Sequence, residues 1–171
     1  MLRLISLLLV ASLALAACAP APEPTLGPDG KPLPKLYRIN EGQSSNIQFR
    51  MLDSVNSLRA AAAAPPVAFD AQLNAAAATH ARDMSLQNRP WHFGSDGSSP
   101  IDRARRVGFG GLFIGEAISE TYETEVETLA AWLEEEGPRR IILDPRANVM
   151  GFNWFQESNG KIWWVLEMGA N

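Results

Sequence analysis

Hydrophobic residues recur at helical spacing in several stretches of the chain. Ile47, Met51, Val55 and Leu58 predict a first helix that stops before a proline pair. Asp70 is a helix-capping residue, and it precedes a second helix. The buried stripe of that helix is predicted to be Leu73, Ala77, His80 and Met84. The pattern as a whole predicts helices over about residues 45–64, 70–88, 100–108 and 120–136.

The remaining pattern is that of strands. Apolar residues alternate through residues 112–118, and Glu116 falls on the same predicted face as they do. Two further strands are predicted over about residues 148–156 and 161–168, joined by a turn that contains Asn159-Gly160. Helices followed by strands in this order favour an α+β domain.

The first 17 residues have the form of a secretory signal, with one charge at Arg3 and then an apolar run too short to span a membrane comfortably. Residues 15–18, Leu-Ala-Ala-Cys, match the bacterial lipoprotein box. That resemblance implies cleavage before Cys18 and attachment of lipid to its thiol and to the new amine. The alternative is an ordinary signal followed by an unmodified cysteine. Cys18 is the only cysteine, so no disulfide can form within the chain.

Residues 18–43 are rich in proline, which predicts an extended tether between a lipidated Cys18 and a domain over residues 44–171. The membrane is then a partner of the protein through Cys18. Ala19 stands where an aspartate would signal retention at the inner membrane, so the sorting rules favour the outer membrane, facing the periplasm or the cell surface. The net charge of −4 excludes the basic footprint of a nucleic-acid binder.

Three polar stretches carry the candidate chemistry of the domain. His92 lies in a loop beside a tryptophan, Glu116 lies on an apolar strand face, and Glu135 lies in an acidic run. A histidine and two carboxylates brought together can bind a cation, shuttle a proton or pair with one another. Glu116 needs a partner, because an unpaired buried carboxylate is costly. His80 is interpreted as a core residue.

Arg103, Arg105 and Arg106 form a basic group in the third predicted helix. They favour a solvated face with one or two structural ion pairs. The alternative is that they form a binding site for a phosphate or a carboxylate.

The motifs resemble, in their order and spacing, the bacterial SCP-like branch of the CAP superfamily. They are Leu73–Ala77, His80–Met84, Trp91–Pro100, Arg103–Gly108, Gly115–Ile118, Trp132, Arg139–Gly151 and Trp164–Gly169. The resemblance covers residues 47–171. It implies a three-layer α-β-α sandwich with a small central antiparallel sheet.

The same resemblance implies a cleft with two histidines and two glutamates. His92 matches the first histidine, Glu116 the first glutamate and Glu135 the second glutamate of some members. Pro138 stands where the second histidine belongs. No cofactor is therefore expected, and His92, Glu116 and Glu135 would make only a weak zinc site, since one nitrogen and two carboxylates are poor zinc ligands.

Three functions remain open from the sequence. The favoured one is a non-catalytic binding module on the cell envelope, whose ligand would be a lipid, another small hydrophobic molecule or an envelope protein. The alternative is a metal-assisted hydrolase of peptide or peptidoglycan substrates with a degenerate site. The third is metal-free acid–base chemistry by His92 and Glu116.

Overall fold

A four-stranded sheet organises the domain, as seen in a computed structural model that describes residues 37–120 and 122–171. Its strands are β1 (Ala68–Phe69), β2 (Leu112–Ser119), β3 (Val149–Gln156) and β4 (Ile162–Ala170). The helices are α1 (Ser44–Ala61), α2 (Ala71–Gln87), α3 (Pro100–Arg106), α4 (Glu125–Glu134) and α5 (Glu136–Ile142). The predicted signal, Cys18 and most of the predicted tether lie outside the described residues.

The strands lie in the order β1-β3-β4-β2. The central strand β4 runs antiparallel to both β3 and β2, while the two-residue β1 runs parallel to β3. The hairpin turn between β3 and β4 is the predicted one, and Gly160 adopts a φ of 100° there, a conformation that favours glycine.

The sheet lies between two helical layers, because successive residues of a strand point to opposite faces. On one face Trp164, Leu166 and Met168 of β4 pack in a core with residues of α1, α4 and α5. On the other face Trp163 and Val165 pack against α2. Strand β4 is buried along almost its whole length. The predicted α-β-α sandwich is therefore confirmed.

Helix α2 rests directly on the sheet. Asp70 caps it by accepting a hydrogen bond from the amide of Leu73 at 2.9 Å, as its sequence predicts. At Gly151 of β3 the helix approaches so closely that a Cβ atom there would lie 2.2 Å from the carbonyl carbon of Leu73. This approach fixes the height of α2 above the strands that carry the polar groups described below.

Helix α1 is tied to the far end of the domain by Arg59, which is fully buried. Its guanidinium donates to the carbonyl oxygens of Ile142 at 2.7 Å, Asp144 at 3.1 Å and Ala147 at 2.8 Å. The segment between α5 and β3 is therefore held by a side chain from the first helix.

Three local predictions are corrected. Helix α1 runs over Ser44–Ala61 instead of residues 45–64, and it follows a 3-10 turn over Glu41–Gln43. The single helix predicted over 120–136 is instead two helices, since the backbone is extended at Glu135 (φ −92°, ψ 133°) and α5 follows. A third correction concerns β2, where the pairing register shifts between Phe113 and Gly115.

The register shift alters the face of β2 on which each side chain lies. Ile114 packs in the core that contains Trp164, whereas Ile118 packs in the core on the α2 side. The predicted single face through residues 112–118 therefore does not exist. Glu116 is nevertheless buried, as predicted.

In the part of the chain that the structure describes, every helix falls short of the length and apolarity that a bilayer crossing requires.

Candidate functional site: a buried carboxylate cluster beneath an exposed histidine

Glu116 lies at the centre of a group of polar side chains between the sheet and α2. Its side chain is 1% exposed, and each carboxylate oxygen has a partner. Oε1 accepts from Nδ1 of His92 at 2.9 Å, and Oε2 accepts from Nη2 of Arg103 at 2.6 Å. The buried charge is therefore paired and hydrogen-bonded, which is the condition for burying a carboxylate without a large cost.

Arg103 comes from the short helix α3, which a reciprocal capping box between Ser99 and Asp102 starts at Pro100. The Arg103 side chain is 5% exposed. Besides the Glu116 carboxylate, its guanidinium donates to the backbone carbonyls of His92 at 2.8 Å and Ser98 at 3.2 Å. One side chain thus positions both the carboxylate and the loop that carries His92.

Side chains of α2 also hold the loop between α2 and α3 by hydrogen bonds. Asp83 accepts from the amide of Ser95 at 2.7 Å and from its hydroxyl at 2.6 Å, and Gln87 donates to the carbonyl of Phe93 at 3.1 Å. A Cβ atom at Gly94 would lie 2.6 Å from the Ser98 hydroxyl. The loop is therefore closed tightly on itself and on the helix.

His92 is the exposed member of the cluster, with a side chain that is 53% exposed. Because a carboxylate only accepts hydrogen bonds, Nδ1 of His92 carries the proton that it shares with Glu116. In the neutral form of the ring, this tautomer leaves the lone pair on Nε2. Trp91 and Phe93 flank His92 with ring centroids 5.2 Å apart, and the guanidinium of Arg89 lies 3.8 Å from the centre of the Trp91 ring.

His80 completes the cluster from α2, where it is fully buried. Its Nε2 lies 3.0 Å from the carbonyl oxygen of Trp91 and 3.7 Å from Oε1 of Glu116. Burial lowers the pKa of His80, with Arg103 adding to the effect and Glu116 opposing it. The ring is therefore neutral at pH 7. Its Nδ1 is buried and has no hydrogen-bond partner among the described residues.

Glu167 of β4 lies directly opposite Glu116 in the strand pairing and is fully buried. Burial, followed by the negative charge of Glu116, raises the pKa of Glu167 to about 9. Glu167 is therefore a neutral acid at pH 7, which spares the cluster a second negative charge. Neither of its oxygens has a hydrogen-bond partner within the described part of the chain.

The structure brings His92 and Glu116 together, as the sequence predicts, but it does not bring Glu135 to them. Glu135 is exposed at the break between α4 and α5, where its extended backbone separates the two helices. Pro138 lies in the first turn of α5, a position that a proline tolerates because the first helical amides need no acceptor within the helix.

A metal ion does not fit this cluster. Across residues 37–120 and 122–171 no three histidine, cysteine, aspartate or glutamate side chains are arranged to hold one. The guanidinium of Arg103, bound to Glu116, would also repel a cation at the one carboxylate that His92 contacts. The weak zinc site considered for His92, Glu116 and Glu135 is therefore not assembled.

Three members of the cluster were not assigned to it from the sequence. Arg103 was grouped with two arginines that are exposed here, and His80 was placed only in the core. The burial of Glu167 could have been predicted, because Glu167 follows Trp163 and Val165 at alternate positions of β4 and so lies on the same buried face. Applied to β4, the reasoning that singled out Glu116 would have found Glu167.

Comparison with known proteins identifies the family. Residues 52–168 match the model of the cysteine-rich secretory protein family, CAP. The chain is 27% identical over 119 residues to the uncharacterized protein YkwD of Bacillus subtilis (strain 168), an alignment that covers 70% of this chain and 46% of YkwD.

Solved structures show the same fold. An extracellular protein containing a SCP domain from Bacillus anthracis str. Ames superposes with a TM-score of 0.68 at 23% identity, covering 87% of this chain and 45% of that one. An outer surface protein from Borrelia burgdorferi superposes with a TM-score of 0.69 at 14% identity, covering 78% and 96% of the two chains. The chain spans about half the length of the two Bacillus proteins. It belongs to the cysteine-rich secretory protein family.

Proposed function

We propose that the chain is a non-catalytic binding domain that is exported and anchored to the cell envelope through a lipid on Cys18. The observation that carries the first part is the pairing of both Glu116 oxygens, with Arg103 on one and His92 on the other. A buried carboxylate of the cluster is thereby used for structure.

A metal-dependent hydrolase needs a different arrangement. Zinc catalysis uses three protein ligands and one open coordination position. Here His92 is the only exposed imidazole of the cluster, Glu116 is bound by a guanidinium, and Pro138 replaces the second histidine that the family pattern provides. This geometry favours a surface that binds over one that hydrolyses through a metal.

Export and anchoring rest on the sequence of the first 18 residues. An apolar signal ending in Leu-Ala-Ala-Cys leads to acylation of Cys18, and several acyl chains hold a protein at a membrane far more firmly than one. The names of two structural relatives, an extracellular protein and an outer surface protein, support the same location. The missing aspartate at position 19 favours the outer membrane.

Zinc titration of the purified full chain tests the non-catalytic assignment. We expect no stoichiometric zinc binding at pH 7 in wild type, and the same result for His92→Ala. Stoichiometric binding that disappears in His92→Ala, but persists in a variant of an exposed acidic residue such as Glu123→Gln, would overturn the assignment.

One observation favours metal-free acid–base chemistry as a second candidate. A buried carboxylate that accepts from Nδ1 of an exposed histidine is the arrangement of a general base and its orienting group. The candidate is supported if the chain cleaves peptides or peptidoglycan fragments in the presence of a chelator, and if His92→Asn abolishes the cleavage. It fails if wild type and His92→Asn release the same background.

A further inference from the structure

A groove beside α5 combines unpaired positive charge with apolar walls, and it lies apart from the His92 cluster. It consists of two adjoining cavities, of about 420 and 430 Å³, that share Arg140 and Asp144. Leu143 and Pro145 line the first cavity. Ile114 and Ile141 line the second.

Of the three arginines that line the groove, two already have acceptors. Arg146 binds Asp144 through Nε at 3.0 Å and through Nη2 at 2.7 Å. Arg139 donates to the backbone carbonyl of Leu133. Arg140, which lines both cavities, makes no hydrogen bond or ion pair with any residue in the described part of the chain. Its guanidinium is the donor that the fold leaves available.

The net charge of the groove indicates the charge of the ligand that it can bind. Three guanidinium groups face two carboxylates, those of Glu136 and Asp144, so the walls carry one surplus positive charge. Hydrogen bonding from Arg146 is the main reason that the pKa of Asp144 falls to about 2, so this carboxylate stays ionised at neutral pH. It would repel a second negative charge on a ligand. A monoanion therefore fits better than a phosphate dianion.

We propose that the groove binds short apolar peptides by their terminal carboxylate, which pairs with Arg140. The planar guanidinium presents two parallel donors that match a carboxylate. The apolar walls on either side receive the last side chains of the peptide. Glu136 and Asp144 offer acceptors to peptide N–H groups, which a fatty acid lacks. This assignment deepens the proposed binding function, on which it rests, by naming the class of ligand.

Calorimetric titration of the full chain with acetyl-Leu-Ala, compared with acetyl-Leu-Ala amide, tests the proposal. The amide lacks the negative charge, so we expect it to bind at least about tenfold more weakly, the usual effect of a hydrogen bond to a charged group. Arg140→Gln should abolish the difference between acid and amide. Arg105→Gln removes an exposed arginine outside the groove and should leave the difference intact.

Three results would overturn the proposal: equal affinity for acid and amide, an acid preference that survives Arg140→Gln, or no binding heat at millimolar peptide. Because Arg140 has no partner in the described part of the fold, its glutamine variant should unfold at the wild-type temperature, which excludes misfolding as the cause of a loss. Mass spectrometry of the peptide after titration separates the two proposals. A cleaved peptide contradicts the non-catalytic function. If the peptide stays intact and the protein binds acid and amide equally well, only the proposal for the groove is contradicted.

Discussion

Arg103 is the residue that permits a carboxylate to be buried beside the sheet, since its guanidinium reaches Glu116 and two backbone carbonyls at once. Removing only one partner of such a buried ion pair costs much of the free energy of unfolding. Removal of Glu116 leaves the Arg103 charge buried without its counter-ion, and a buried charge in that state is strongly destabilising.

We therefore expect Glu116→Ala to lower the free energy of unfolding by about 3 kcal/mol at pH 7. Chemical denaturation followed by tryptophan fluorescence gives the value. Glu123→Ala, at an exposed glutamate, is the matched control and should change stability by less than about 0.5 kcal/mol. Equal midpoints for the two variants would show that Glu116 contributes nothing through its pairing.

Glu167 makes stability depend on pH in a predictable direction. Its pKa is about 9 in the folded protein, compared with a usual value of 4.5. Between those values the folded state holds a proton that the unfolded state has lost, so the free energy of unfolding falls as pH rises. From pH 7 to 9 His80 does not alter this trend, because its pKa is lowered from 6.5 on folding and the ring is neutral in both states.

We expect the wild-type free energy of unfolding to fall by about 2 kcal/mol between pH 7 and pH 9 because of Glu167. Glu167→Gln stays neutral at every pH and should remove most of that decline. Denaturant titrations at pH 7, 8 and 9 provide the comparison. If the glutamine variant declines as steeply as wild type, Glu167 is not the group that titrates.

At the scale of elements, the approach of α2 to β3 depends on Gly151. A methyl group at this position would lie 2.5 Å from the amide nitrogen of Asn74 as well as against the carbonyl carbon of Leu73. Both are backbone atoms of α2, so a side-chain rotation cannot relieve the contact. The helix would have to move away from the sheet, together with His80 at its centre.

Gly151→Ala is expected to destabilise the domain by about 3 kcal/mol, at the upper end of the cost of overpacking a core. Thermal unfolding monitored by circular dichroism measures the effect. Gly42→Ala introduces the same methyl group where no atom lies within 4 Å and serves as the control. A Gly151→Ala melting temperature equal to that of Gly42→Ala would mean that α2 and β3 adjust without cost.

The elements also show what could be predicted from the sequence. Helix α2 and the β3–β4 hairpin were predicted correctly, because their caps, periodicity and turn residues lie within each element. The break at Glu135 and the register shift in β2 were missed, because both are determined by packing against other elements.

The same distinction applies to the site. His92 and Glu116 were chosen correctly as neighbours, whereas Glu135 was placed with them only by analogy. The pairing of Arg103 with Glu116 joins α3 to β2, and no local pattern in either element specifies that contact.

At the scale of the whole molecule, the proposed anchoring depends on Cys18, which lies outside the described residues. We expect Cys18→Ser to move the protein from the membrane fraction to the soluble fraction, or to stall removal of the signal. Fractionation followed by immunoblotting gives the distribution. Mass spectrometry of the wild-type N-terminus supplies the complementary result, since an unmodified Cys18 there would contradict the lipoprotein assignment.

The links made by Arg59 join parts of the chain that are far apart in sequence. Three of its four carbonyl acceptors lie 83, 85 and 88 residues further along the chain, and the fourth belongs to Pro65. Helix α1 is therefore made long before the segment that it holds, and contacts of such high sequence separation slow folding because a long loop must close first. A chain that ends before Ile142 offers the Arg59 guanidinium only the carbonyl of Pro65 among its four acceptors, so α1 cannot be fixed in its final place until residues 142–147 have joined it.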